Sequence, residues 1–209
     1  MRSQGIIIEG ITGAGKTRTL KALLANETFN NSWAPYDIFR EKEAFGEFMG
    51  ELAAYPDAQP NEKFHLLDRV VRTACARAQS VESYHFLMER AHYSYYALLP
   101  EWNLYQGYDS ALSALHSHVF LLWIPEGQLE SRSLHRSDRN KWGDSFLQLY
   151  GTQNNALKKF ETVQLVRYAG ICRSSIPHTV IDTSAMDWVA YADLIASNST
   201  AALRRVENP

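Results

Sequence analysis

One run of eight residues limits what this chain can fold into. Gly10-Ile11-Thr12-Gly13-Ala14-Gly15-Lys16-Thr17 follows the apolar run Gly5-Ile6-Ile7-Ile8-Glu9. It precedes residues 16–25, where Thr19, Leu20, Leu23 and Leu24 share one helical face. The run satisfies the spacing G-x-x-x-x-G-K-[ST], in the strand–turn–helix setting that such a loop needs. Glycines let the backbone wrap closely around phosphate oxygens. The amides at the helix start present unpaired donors to an anion. On this reading Gly10, Thr12, Gly13, Ala14 and Gly15 line the phosphates of ATP, and Lys16 reaches the β- and γ-phosphates. The Thr17 hydroxyl would be a ligand of Mg²⁺.

The rest of the chain supplies the matching architecture. Residues 34–39, 84–88, 119–124 and 179–182 form further apolar runs, continuous rather than alternating, as in strands buried on both faces. Helical spacing fills the intervals at 16–25, 63–79, 110–116, 127–135, 144–167 and 186–196. The 144–167 stretch has Phe146, Leu149, Tyr150, Leu157, Phe160 and Val163 to bury. Strands alternating with helices predict an α/β fold with parallel pairing, and ligands bound beyond the carboxyl ends of the strands.

Composition removes several classes of function. At 209 residues and 45% hydrophobic, the chain can bury one sizeable core, so one α/β domain is expected. A net charge of -2 with interspersed signs offers no footprint for a nucleic-acid polymer. No apolar run is long enough to span a bilayer and no export-signal layout is present, which predicts a cytoplasmic protein with no membrane partner. Cys75 and Cys172, far apart, read as reduced thiols.

A phosphate loop alone does not define an enzyme. The Asn-Lys-x-Asp sequence by which GTPases read their base is absent, as is a strand ending in two acids; both absences point to a small kinase. The strand ends carry the remaining candidates. Glu89 would hold Mg²⁺ through water, facing Thr17, and Arg90 would bind an acceptor or the moving phosphoryl group; a surface ion pair is the alternative. Arg40 would bind an acceptor phosphate and Glu41 would take a proton from an attacking hydroxyl. Arg132, Arg136 and Arg139 could fold over the phosphates as a lid, within a segment at about 130–143, or merely solubilise a loop. Asp182 lines an adenine pocket or caps the last helix. Tyr93, with Tyr95, Tyr96, Trp102 and Tyr105, stacks on a planar acceptor or forms an aromatic core. Asp68-Arg69 reads as a helical surface pair.

Taken together, these residues resemble the thymidylate kinase and deoxynucleoside kinase group of P-loop kinases. Residues 8–17 resemble the opening of thymidylate kinases, Phe39-Arg40-Glu41 with Gly46-Glu47 their segment after strand two, and Leu67-Asp68-Arg69 their helix with a substrate-binding arginine. Glu89-Arg90 with Ser94 is similar to the glutamate–arginine–serine motif of deoxynucleoside kinases, and residues 121–125 with the arginine-rich stretch to the fourth strand and lid of both groups. The resemblance implies a three-layer P-loop NTPase fold with a five-stranded parallel sheet in the order 2-3-1-4-5. It also implies roles for Arg40, Arg69 and Arg90 at the acceptor and for Arg132 and Arg136 at the transferring phosphate. It departs at Thr12, where thymidylate kinases have aspartate, and at Lys42-Glu43-Ala44, where they have proline and then glycines.

The reading is therefore an ATP- and Mg²⁺-dependent phosphotransferase with a small-molecule acceptor, a nucleoside or nucleotide by preference. A hydroxylated metabolite or antibiotic is the alternative acceptor, and a nucleotide-binding regulatory module without transfer is a second alternative. A homodimer is left open.

Overall fold

Ile6, Ile7 and Ile8 are each at most 1% exposed, and because successive side chains of a strand point to opposite faces, this one segment needs a core on both sides. The computed structural model of the chain describes residues 2–40, 64–134 and 149–207. The segment is part of β1 (Arg2–Glu9). Beside it lie β2 (Tyr36–Phe39), β3 (Ser83–Glu89), β4 (Ser117–Trp123) and β5 (His178–Asp182). All pairs are parallel and the order is β2-β3-β1-β4-β5, the order that the resemblance implies.

The helices are α1 (Lys16–Leu24), α2 (Glu27–Trp33), α3 (His65–Ser80), α4 (His92–Tyr96) and α5 (Gln106–Ala114). They continue with α6 (Glu126–Leu129), α7 (Gln153–Arg173) and α8 (Trp188–Glu207). On one face Ile7, Phe86, Met88, Val119 and Leu121 meet Leu67, Val70, Val71 and Ala74 of α3 and the tyrosines of α4. On the other, Ile6, Ile8, Leu87, Phe120 and Leu122 meet Leu20 and Leu23 of α1 and Ala192, Ile195 and Ala196 of α8. Each large aliphatic side chain so buried contributes about 1.5–3 kcal/mol. Cys75 and Cys172 form no disulfide. Among the described residues no helix is long and apolar enough to cross a membrane.

The structure corrects several sequence boundaries. Residues 27–33 are a helix that periodicity did not flag. Its signal is a cap, the Asn26 side chain accepting from the Phe29 amide at 2.8 Å, and it seats Phe29 and Trp33 in the core. β2 consequently starts at Tyr36, later than expected. The helix expected over 127–135 is α-helical to Leu129 and then widens into a looser turn over Glu130–Leu134. The helix expected over 144–167 is interrupted: residues 149–150 are helical, and after a break at 151–152 α7 begins at Gln153, behind a Thr152 cap that accepts from the Asn155 amide at 3.2 Å, while residues 144–148 lie outside the described residues. Leu149, expected to be buried, is 72% exposed. Glu41, Phe146, and the lid positions Arg136 and Arg139 lie outside the described residues.

The expected aromatic cluster is a core rather than an open surface. Tyr93 and Tyr95 are fully buried, and beneath them sits a polar clamp on Asp109. Its carboxylate accepts from His92 Nε2 at 3.2 Å, from the Ser174 hydroxyl, and from the Ser175 amide and hydroxyl, each at 2.9 Å. The Tyr93 hydroxyl shares Ser174 at 2.8 Å. Burial would push the Asp109 carboxyl up, but the bonds from His92, Ser174 and Ser175 outweigh it and hold the group well below the usual carboxylate range. A depressed carboxyl stabilises the fold above its ordinary value, about 4, and loses that contribution as the pH falls through the folded value. Asp109→Asn should therefore cost about 1–3 kcal/mol in urea unfolding at neutral pH. The gap to wild type should narrow between about pH 5 and pH 2; a gap independent of pH would contradict the assignment.

Candidate functional site

The phosphate loop stands where β1 ends and α1 begins, and its backbone is held rather than left to the ligand. The Ala14 amide donates to the Ile11 carbonyl at 3.2 Å and closes a turn. Lys16 is buried, and its ammonium donates to the same carbonyl at 3.3 Å, inside the loop. Gly13 and Gly15 have positive φ, at 88° and 93°. A Cβ on Gly13 would lie 2.3 Å from the Arg132 carbonyl oxygen, and one on Gly15 would lie 2.0 Å from the Trp188 ring. Both positions thus exclude a side chain on two counts, backbone conformation and space.

Two oxygens meet at the mouth of the loop. The Thr17 hydroxyl donates to Glu89 Oε1 at 2.8 Å. Thr17 lies in the first turn of α1 and Glu89 closes β3, so the sheet register that pairs Ile8 with Glu89 brings them together. Glu89 is 4% exposed. A carboxylate and a hydroxyl are hard oxygen donors of the kind that hold Mg²⁺ with the help of phosphate and water. Among the described residues no cluster of three His, Cys, Asp or Glu side chains forms a site for a metal held by protein alone. The pairing of Thr17 with Glu89, expected from the sequence, is therefore present as geometry.

Arg132 is braced against the loop. Its Nη2 donates to the carbonyls of Gly13 and Ala14, at 3.2 and 3.4 Å, and its Nη1 to Thr183 O at 2.8 Å and Gln128 Oε1 at 3.1 Å. The Ser133 hydroxyl donates to Thr12 O at 3.0 Å. The guanidinium is thus engaged with backbone oxygens of the loop and of the turn after β5, and burial lowers its affinity for its proton. The Trp188 indole, partly buried, lies 5.7 Å from the Arg132 guanidinium and 5.9 Å from that of Arg18. Asp182 accepts from the Ser184 amide at 2.7 Å, a bond that holds its carboxyl below the ordinary carboxylate value.

The acceptor-side candidates are more dispersed. Arg90 is buried at the end of β3, with its Nη1 3.4 Å from the Ser94 hydroxyl. Arg40, just past β2, and Arg69, on α3, are exposed. Tyr93 is engaged with Ser174 and Asp109 in the core. Sequence reasoning passed over three residues: Glu9, Trp188 and Ser133. An acid closing an otherwise apolar strand was the available signal for Glu9; nothing local marked the other two.

No protein-family model and no curated protein matches the sequence. Solved structures do match. A deoxyadenosine kinase from M. mycoides is 16% identical, with 95% of this chain and 99% of that chain covered at a TM-score of 0.52. Thymidylate kinase from Candida albicans is 14% identical over 95% of this chain and 93% of its own, at 0.52. A gluconokinase from Sinorhizobium meliloti is 12% identical over 97% of both, at 0.56. The fold is thus that of the P-loop kinases, and identities this low carry the likeness no further than fold.

The packing on Gly15 gives a direct test. Gly15→Ala forces a β-carbon into the Trp188 ring and a positive φ on alanine. It should weaken Mg²⁺–ADP binding at least tenfold by calorimetry, about 1.4 kcal/mol; affinity equal to wild type would show that neither constraint shapes the loop.

Proposed function

We propose that this chain is an ATP- and Mg²⁺-dependent phosphotransferase that moves the γ-phosphate of ATP to a small molecule, a nucleoside or nucleotide by preference. The observation that carries the reading is the Thr17–Glu89 contact at 2.8 Å beside the buried Lys16. A loop that only gripped nucleotide would have no need of a carboxylate from the neighbouring strand at its threonine. Bound there, Mg²⁺ would neutralise charge on the β- and γ-phosphates. The amides of residues 13–17 and Lys16 hold the polyphosphate, and Glu89 orients the Thr17 hydroxyl. Trp188 and Arg132, stacked beside Gly15, form a wall for the nucleotide base. Arg90 presents its charge to the acceptor or the transferring group, with Arg40 and Arg69 as acceptor contacts, Glu41 as base where the acceptor is a hydroxyl, and Arg136 as a lid contact. Phosphoryl transfer asks little covalent chemistry of a protein, so positioning and charge supply most of the rate. We place this chemistry in the cytoplasm.

The deoxyadenosine kinase structure contains dCMP and dCDP, which supports a nucleoside or nucleotide acceptor. One observation favours a second reading. Tyr93, Tyr95 and Tyr96 lie in the core, which removes the stacking wall that a planar acceptor would use. A hydroxylated, non-aromatic acceptor then becomes the alternative, on a fold that also serves a gluconokinase.

Release of ADP across nucleosides, nucleoside monophosphates and hydroxylated metabolites separates the two. Lys16→Ala should lower turnover at least about a hundredfold with unchanged circular dichroism; a fully active Lys16→Ala protein removes both readings. Trp188→Ala should weaken Mg²⁺–ADP by about tenfold, the scale of one aromatic stack, and an unchanged dissociation constant would exclude Trp188 from the base site.

A further inference from the structure

Glu9 closes β1 and is 0% exposed, directly after the buried Ile6, Ile7 and Ile8. Its carboxylate collects partners from three directions. Oε1 accepts from the Ala91 amide at 2.7 Å and lies 3.3 Å from the Ser94 hydroxyl. Oε2 accepts from Ser94 at 3.0 Å and from the Gly10 amide at 3.4 Å, and faces Arg167 Nε at 3.5 Å. Gly10 begins the phosphate loop, Ala91 and Ser94 belong to the turn and short helix after β3, and Arg167 is on α7. One carboxylate therefore touches the nucleotide side, the acceptor side and the long helix at once.

The residue between Glu89 and Ala91 shows what this achieves. Arg90 has φ 73°, in the left-handed region that a bulky residue enters only when its surroundings impose it. Its amide donates to Ile8 O at 3.0 Å, and its guanidinium leans on Ser94, the hydroxyl already bonded to Glu9. Contacts from Glu9 thus fall on two residues that follow the strained one, Ala91 and Ser94, while the Arg90 amide itself is held by Ile8 O. Without them the turn has less to hold it, and Glu89, one residue earlier, shares the displacement.

We infer that Glu9 is a positioning residue that fixes Arg90, and with it the acceptor side, against the root of the phosphate loop. The inference rests on the phosphotransfer reading for its kinetic consequence, but not for its structural one. Two variants test it. Glu9→Gln keeps the volume and an acceptor for the Ala91 amide while removing the charge before Arg167. Ser94→Ala cuts the link to Arg90 and leaves the carboxylate its other partners. Mg²⁺–ADP affinity should stay within about threefold of wild type in both, since Lys16 and residues 11–17 keep their contacts and the one loop bond that Glu9→Gln alters, from the Gly10 amide, is long at 3.4 Å. Amide exchange over residues 90–96 should accelerate, and acceptor kcat/KM, measured with nucleosides and nucleoside monophosphates, should fall at least about tenfold at an unchanged KM for ATP. A merely stabilising contact would lower the melting temperature and leave that split absent. Folded variants with wild-type exchange and wild-type acceptor kcat/KM overturn the proposal. If Glu9→Gln does not fold, Ser94→Ala decides by the same readouts. If the wild type binds Mg²⁺–ADP but transfers phosphate to nothing, the functional reading fails, and exchange over 90–96 alone decides whether Glu9 holds the Arg90 turn.

Discussion

Glu9, Arg90 and Arg167 lie buried at the carboxyl ends of a sheet built mainly from isoleucine, leucine, valine and phenylalanine. Taking one such charge out of water without a partner costs several kcal/mol, more than most single contacts in the fold return. The chain meets this cost by converging two backbone amides, a hydroxyl and one opposite charge, that of Arg167, on the Glu9 carboxylate. The geometry then follows from the electrostatics. The start of the phosphate loop, the turn after β3 and the middle of α7 are tied together because each supplies part of the solvation that Glu9 has lost. A polar network of this kind fixes one arrangement of its members more sharply than an apolar core of the same size, because any slip leaves a buried group unmet.

The nucleotide side is organised by a different economy, that of close backbone approach. Gly13 lies under the Arg132 carbonyl and Gly15 under the Trp188 ring, so the loop is pressed from outside. Arg132 extends the same bracing to the far edge of the sheet by joining the Gly13 and Ala14 carbonyls to that of Thr183. An arginine that sequence reasoning assigns to transition-state charge is, in this structure, a strut between the phosphate loop and the turn after β5. The two descriptions concern different moments, since a guanidinium held by carbonyl oxygens can exchange them for phosphate oxygens when these arrive.

Much of this was legible in the sequence, and the limits were physical. Continuous apolar runs revealed the buried strands because a strand covered on both faces has no polar positions to alternate. Glycine spacing revealed the phosphate loop because few other backbones can make that turn. Helix α2 escaped notice because seven residues are too few for a periodic signal, and its evidence lay in one capping asparagine. The tyrosines at 93, 95 and 96 could have been a surface or a core; Asp109, His92 and Ser174 decide for the core, and they come from α5, α4 and the end of α7, which no local pattern relates. Glu9 was visible as a letter but not as a hub, since its partners are 82, 85 and 158 positions away.

The same features bear on where acceptor selectivity is written. Solved kinases of this fold carry names as different as deoxyadenosine kinase and gluconokinase, so the sheet and its phosphate loop leave the acceptor undetermined. In this chain α4 is locked twice, by Glu9 at Ser94 and by Asp109 at His92 and Tyr93. A helix held so firmly is suited to presenting Arg90 at a fixed place and ill suited to reshaping itself around different acceptors. On the proposed phosphotransfer reading, discrimination would fall to exposed side chains, those of Arg40 just past β2 and Arg69 on α3. On that reading, separating the two tasks would let reactive groups keep the sub-ångström placement that transfer demands, while the groups that recognise the acceptor vary without disturbing them.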